Sequence, residues 1–129
     1  MDINISVILS EARNYQPEIR KKAEGILENL AKQDFFEFLK QLVSELSDEE
    51  KSKENRQLAA TIIKNMITYM DSLKNIWLNF PEEKSNFIKN AILSTLASKV
   101  KDVRRAAGHT IAGNNLKFKL KDYAGLKFH

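Results

Sequence analysis

Glu18-Ile19-Arg20-Lys21-Lys22-Ala23-Glu24-Gly25-Ile26-Leu27 marks the chain as a helical repeat, because its layout returns twice further along. It recurs at Glu54-Asn55-Arg56-Gln57-Leu58-Ala59-Ala60-Thr61-Ile62-Ile63 and at Asp102-Val103-Arg104-Arg105-Ala106-Ala107-Gly108-His109-Thr110-Ile111. Each copy has an acid, an arginine two residues later, a small alanine three beyond that, and a closing pair ending in an aliphatic residue. The acid falls where a helix dipole favours negative charge in the first turn. The alanine lets a second helix come close, and the closing pair fills the seam. A lone helix hairpin cannot bury both of its faces, so such units must stack.

Apolar spacing near 3.6 runs through the chain up to residue 112 and predicts helices. The stripes are Ile5/Ile8/Leu9/Ala12, Ile19/Ala23/Ile26/Leu27/Leu30, and Phe35/Phe38/Leu39/Leu42/Val43/Leu46. Further on come Leu58/Ala59/Ile62/Ile63/Met66/Met70, Phe87/Ile88/Ala91/Ile92/Thr95/Leu96, and Val103/Ala106/Ala107/Thr110/Ile111. Pro17 and Pro81 sit at helix starts, where a missing N–H costs nothing. Asp34 with Glu37 three residues on is a capping-box arrangement. Breaks fall near Tyr15-Gln16, at Gln33, and over 47–52, 71–80 and 98–100, and short connections make neighbouring helices antiparallel. The repeated arginines lie 36 and 48 residues apart, a spacing that brackets the ~40–47 of HEAT-type pairs. The expectation is all-α: a HEAT-repeat superhelix of about three antiparallel pairs, near 2–31, 34–70 and 81–112.

Composition excludes several classes. With no Cys there are no disulfides and no thiolate metal sites, which suits a reducing compartment. No apolar run approaches the ~20 residues that span a bilayer, and Met1-Asp2-Ile3-Asn4 lacks the basic and apolar regions of a signal peptide. The net charge of +4 is concentrated in the tail, where Lys117, Lys119, Lys121 and Lys127 oppose Asp122. The rest carries intermixed signs, which reads as a solvated surface and not as a nucleic-acid stripe. The four glycines are scattered and form no phosphate loop, and no nucleophile elbow or carboxylate pair is evident. Asp48-Glu49-Glu50 lacks cation-loop spacing and reads as a solvated loop. His109 has no metal-spaced partner. No catalytic, metal or cofactor site is expected.

Pro17-Glu18-Ile19-Arg20-Lys21-Lys22-Ala23-Glu24-Gly25-Ile26-Leu27 resembles the first B helix of the importin-β (karyopherin-β) amino-terminal domain. Arg56 to Ile67, with its apolar run and Lys64-Asn65, is similar to the next B helix. Trp77-Leu78-Asn79-Phe80-Pro81-Glu82-Glu83-Lys84 matches the tryptophan-plus-acid approach to the following helix, and Val103-Arg104-Arg105-Ala106-Ala107 fits the third repeat. The likeness spans about residues 2–112. It implies a nuclear transport receptor, active in cytoplasm, nucleus and nuclear envelope, whose first repeats bind the small GTPase Ran in its GTP form. Cargo and nucleoporin sites would lie largely on later repeats, so the resemblance implies a fragment, a short isoform or a truncated product. The alternative is a stand-alone helical scaffold without transport activity.

The resemblance makes Lys64 and Asn65 the first candidates for GTPase contact, with Thr61 and Thr68 sharing that surface. The plainer reading is a solvated lysine beside an asparagine bonded to the next loop. Arg20, Arg56 and Arg104 read as inter-repeat ladder residues, since the bidentate guanidinium can reach an acid on a neighbouring repeat. Trp77 reads as a packing wedge between helices, or otherwise as a partner anchor.

From Gly113 the repeat pattern stops, and Leu116-Lys117-Phe118-Lys119-Leu120-Lys121 alternates with period two, as an exposed strand or a disordered arm would. The expectation is an atypical basic tail over 113–129, folding over an uncapped apolar face or leaving that face to pair two chains. Four lysines are a weak basis for nucleic-acid binding.

Overall fold

The computed structural model describes residues 4–112, and within them there are helices and no strands. In chain order these are α1 (Ile5–Ala12), α2 (Pro17–Gln33), α3 (Phe35–Ser47), α4 (Lys53–Tyr69), α5 (Asp71–Leu78), α6 (Glu82–Ser94) and α7 (Lys101–Ala112). A single 3-10 turn, Thr95–Ala97, prolongs α6. The expected tail, 113–129, and its proposed contacts lie outside the described residues.

Local chemistry sets the boundaries. Asn4 Oδ1 accepts from the N–H of Ser6 and Val7 at 3.0 and 3.3 Å and so caps α1. Pro17 opens α2. Asp34 Oδ1 accepts from Glu37 N at 3.1 Å, giving one half of the expected capping box. The Asp34 N–H bonds back to Leu30 O at 3.2 Å and closes α2, so a single residue serves two helix ends. Ser52 Oγ accepts from Asn55 N at 3.1 Å and starts α4.

The hairpins α1/α2, α3/α4 and α6/α7 pack side by side, α3 against α6 and α4 against α7. Ala23, Ala59 and Ala107, the small residues of the repeat, are each fully buried. Around them Leu9, Phe38, Leu39, Leu42, Ile63, Ile88, Ile92 and Val103 form one continuous core. The fold is an all-α stack of HEAT type.

Two expectations change. The span 71–80 is not a loop: α5 occupies most of it, with Leu73 and Trp77 buried one turn apart. The backbone leaves the helix only at Met70, with φ −105° and ψ 94°, and no Gly or Pro in 71–80 prevents it from restarting. Phe87, assigned to the core stripe of α6, is 54% exposed and instead lies edge-on to Phe36, 6.2 Å between ring centroids.

A polar node fixes the first hairpin. Glu45 and Asn55 are buried, and Ser6 Oγ donates to Glu45 Oε1 at 2.6 Å. Asn55 Nδ2 donates to Ser6 O at 2.9 Å and to Glu45 Oε2 at 3.2 Å, while its Oδ1 accepts from Arg13 at 3.0 and 3.1 Å. Buried polar groups need such partners. The node makes α1 lean on α3 and α4 together, and α2 and α4 stand apart where α4 and α7 are in close contact.

Candidate protein-binding face

The helices α4 and α7 run parallel. Lys53 Nζ lies 3.3 Å from Asp102 Oδ2 near their starts, and the Thr110 hydroxyl lies 3.3 Å from Ala60 O further along. Thr110 is buried and shares its proton with Ala106 O at 3.0 Å, so it stitches the two helices at little conformational cost.

Between them runs an open cleft of about 290 Å³ lined by Gln57, Thr61, Lys64, Asn65, Asp102, Arg105 and His109, among others. Lys64, Asn65 and Thr61 are thus brought together, Lys64 half-buried and Asn65 exposed. Thr61 Oγ1 is already bonded to Gln57 O at 3.1 Å. Thr68, a turn beyond Lys64 on α4, is not among the lining residues. Sequence reasoning missed Gln57, Asp102, Arg105 and His109. The repeat register held the signal: Gln57 and Arg105 each follow the repeat arginine, and Thr61 and His109 occupy equivalent places.

Lys64 and Arg105 face the cleft, and its acid, Asp102, is engaged by Lys53. The balance is cationic and rich in donors. No residue here is placed as a nucleophile against a base, so the surface can bind by charge and hydrogen bonds.

The three repeat arginines differ. Arg56 is fully buried and donates to Leu46 O at 2.9 Å, to Glu49 Oε2 at 3.1 Å and to Ser98 Oγ at 3.1 Å. Its acid therefore belongs to the loop of its own hairpin, and its contact with the next hairpin is a hydroxyl. Arg104 donates to Ser98 O at 2.8 Å, within its own hairpin. Among the described residues Arg20 pairs with Glu24 on the same helix, at 3.9 Å. Trp77 is buried in α5, edge-on to Phe80 at 5.7 Å.

Glu49 is not merely solvated. It accepts from Arg56 and, across the stack, from Lys99 N at 3.2 Å. The Ser98 hydroxyl contributes most to holding its carboxyl below the ordinary value of 4.5, with Arg56 and the Lys99 N–H adding to it against desolvation. A depressed folded value means that the stabilisation is present above the ordinary one and is lost as pH falls through the folded one. Wild type is therefore expected to lose more melting temperature than Glu49→Gln between about pH 5 and pH 3. Parallel thermal melts followed by circular dichroism read this; equal losses would remove Glu49 from the inter-hairpin contact.

The importin-beta N-terminal domain family model matches residues 23–98. The chain belongs to the importin-β family. Over 117 residues it is 30% identical to importin subunit beta-1 of Arabidopsis thaliana, covering 87% of this chain and 13% of that protein. Over 115 residues it is 26% identical to importin subunit beta-1 of Schizosaccharomyces pombe, covering 85% and 13%. The chain thus spans 13% of the length of these importin relatives. The importin-β match takes in most of α2, all of α3 to α6 and the Arg56 contacts, and stops before α7. Gln57, Thr61, Lys64 and Asn65 fall inside it, and Asp102, Arg105 and His109 beyond it. No helix among the described residues is long and apolar enough to cross a membrane.

Proposed function

We propose that this chain serves nucleocytoplasmic protein import by presenting the α4/α7 cleft to the GTP form of Ran. The observation that carries the reading is the convergence of Lys64, Asn65 and Thr61 with Arg105 in one cationic cleft of an importin-β N-terminal domain. Lys64 and Arg105 serve as charged anchors. Asn65 and Gln57 supply hydrogen bonds that fix orientation, and Thr68 extends the contact along α4. The chain then acts in both cytoplasm and nucleus, while nucleoporins and cargo engage repeats beyond it.

The test is capture of Ran loaded with GTP or GDP on the immobilised chain. GTP-dependent capture is expected, weakened about tenfold or more by the pair Lys64→Ala and Asn65→Ala, equivalent to about 1.4 kcal/mol. Both side chains stand outside the core, so an unchanged melting temperature accompanies that loss. Equal capture of the two nucleotide forms would sink the reading and favour a stand-alone helical scaffold.

A further inference from the structure

On the flank of α4 opposite α7 lies a second groove, of about 370 Å³, where α2 and α4 stand apart. Its floor is apolar, with Leu27, Ile62, Met66 and Met70, and Glu24 and Glu28 stand on its rim. Ile62 and Met70 remain partly exposed, so the groove is apolar surface that the described residues leave open. We propose that it is filled in cis by the segment Leu116-Lys117-Phe118-Lys119-Leu120-Lys121 of the same chain.

Three observations point to that segment, and the last of them, with the tether, favours the same molecule over a second copy. The first is pattern. A period-two segment places Leu116, Phe118 and Leu120 on one side when extended, which matches an apolar slot. The second is charge. Lys117, Lys119 and Lys121 then lie at the groove mouth, where their long stems reach Glu24 and Glu28. These exposed carboxylates meet Arg20 at 3.9 Å and Lys32 at 3.1 Å on their own helix, weak solvent-screened pairs that leave oxygens for a further lysine. The third is reach. Because α7 runs parallel to α4 with Thr110 beside Ala60, the helix ends near the level of Ile62. Crossing α4 takes about one helix diameter, ~10 Å. The four residues from Ala112 to Leu116 span ~13 Å when extended. Tethering also gives the segment a local concentration in the millimolar range, which a second molecule does not match in dilute solution. This occupancy does not depend on what binds the α4/α7 cleft.

The chain has no Cys and three Met, two of them on the groove floor, which suits a paramagnetic test on the full chain. A nitroxide on Lys121→Cys is expected to remove most of the intensity of the Met66 and Met70 methyl signals in ¹³C-methyl-Met protein. Adding Phe118→Asp, a change outside the described residues, is expected to restore both. Unaltered signals in the labelled chain would overturn the proposal, as would broadening that survives Phe118→Asp. So would broadening in a mixture where nitroxide and ¹³C reside on different molecules, an outcome that assigns the groove to a second copy.

Discussion

Arg56→Ala is expected to cost about 3 kcal/mol and to lower the melting temperature by roughly 10–20 °C. The guanidinium holds three groups at once: a carbonyl at the end of α3, a loop carboxylate and the Ser98 hydroxyl of the third hairpin. Glu49 is partly open to water, so losing its partner costs little by itself. The weight falls on Leu46 O, which is left short of a donor inside the stack, and on the void left by a fully buried side chain. Ser98 Oγ loses its link to the second hairpin but still accepts from Val100 N at 3.2 Å. Arg56→Met separates these causes. It keeps most of the volume, so the cost it retains measures the orphaned polar groups.

The same letter at the other two repeat positions is expected to matter far less. Arg104→Ala removes one bond to Ser98 O, about 1 kcal/mol, and Arg20→Ala an exposed pair at 3.9 Å, within about 0.5 kcal/mol. Thermal melts of the three alanine variants give the ranking. An Arg56→Ala protein melting within a few degrees of wild type would mean that the buried cluster does not join the hairpins.

The three arginines show where the sequence is legible. Their recurrence beside Ala23, Ala59 and Ala107 reveals the repeat, because close packing of helices imposes a small residue at a fixed register whatever else varies. Their partners are a different matter. Arg56 meets Ser98 across 42 residues of chain, and Lys99 N meets Glu49 across 50, so neither contact has a local signature. Glu49 therefore reads as solvated loop until the third hairpin is laid against the second. The cleft follows the same logic. Lys64 and Asn65 stand out through resemblance to a family. Arg105 and His109 become visible only once α7 is known to lie parallel to α4, in register with it.

Helix α5 is the clearest case of a signal too short to read. Eight residues hold barely two turns, and Leu73, Ile76, Trp77 and Leu78 suit a helix or an irregular apolar linker equally well. An isolated helix of this length is marginal in water, so packing must hold it. Trp77 supplies that packing. It is 1% exposed, and its ring meets Phe80, which in turn contacts Phe35 and Phe36 at the start of α3. Trp77→Ala is therefore expected to cost about 3–5 kcal/mol, the range for truncating a buried large aromatic. Ile76→Ala, one position earlier and 44% exposed, is expected to stay within about 0.5 kcal/mol. Denaturant melts by far-ultraviolet circular dichroism measure both, and amide hydrogen exchange in 71–78 shows whether α5 opens before the rest. Should Trp77→Ala cost less than about 1 kcal/mol with exchange in α5 unchanged, the indole is a surface anchor and not a packing wedge.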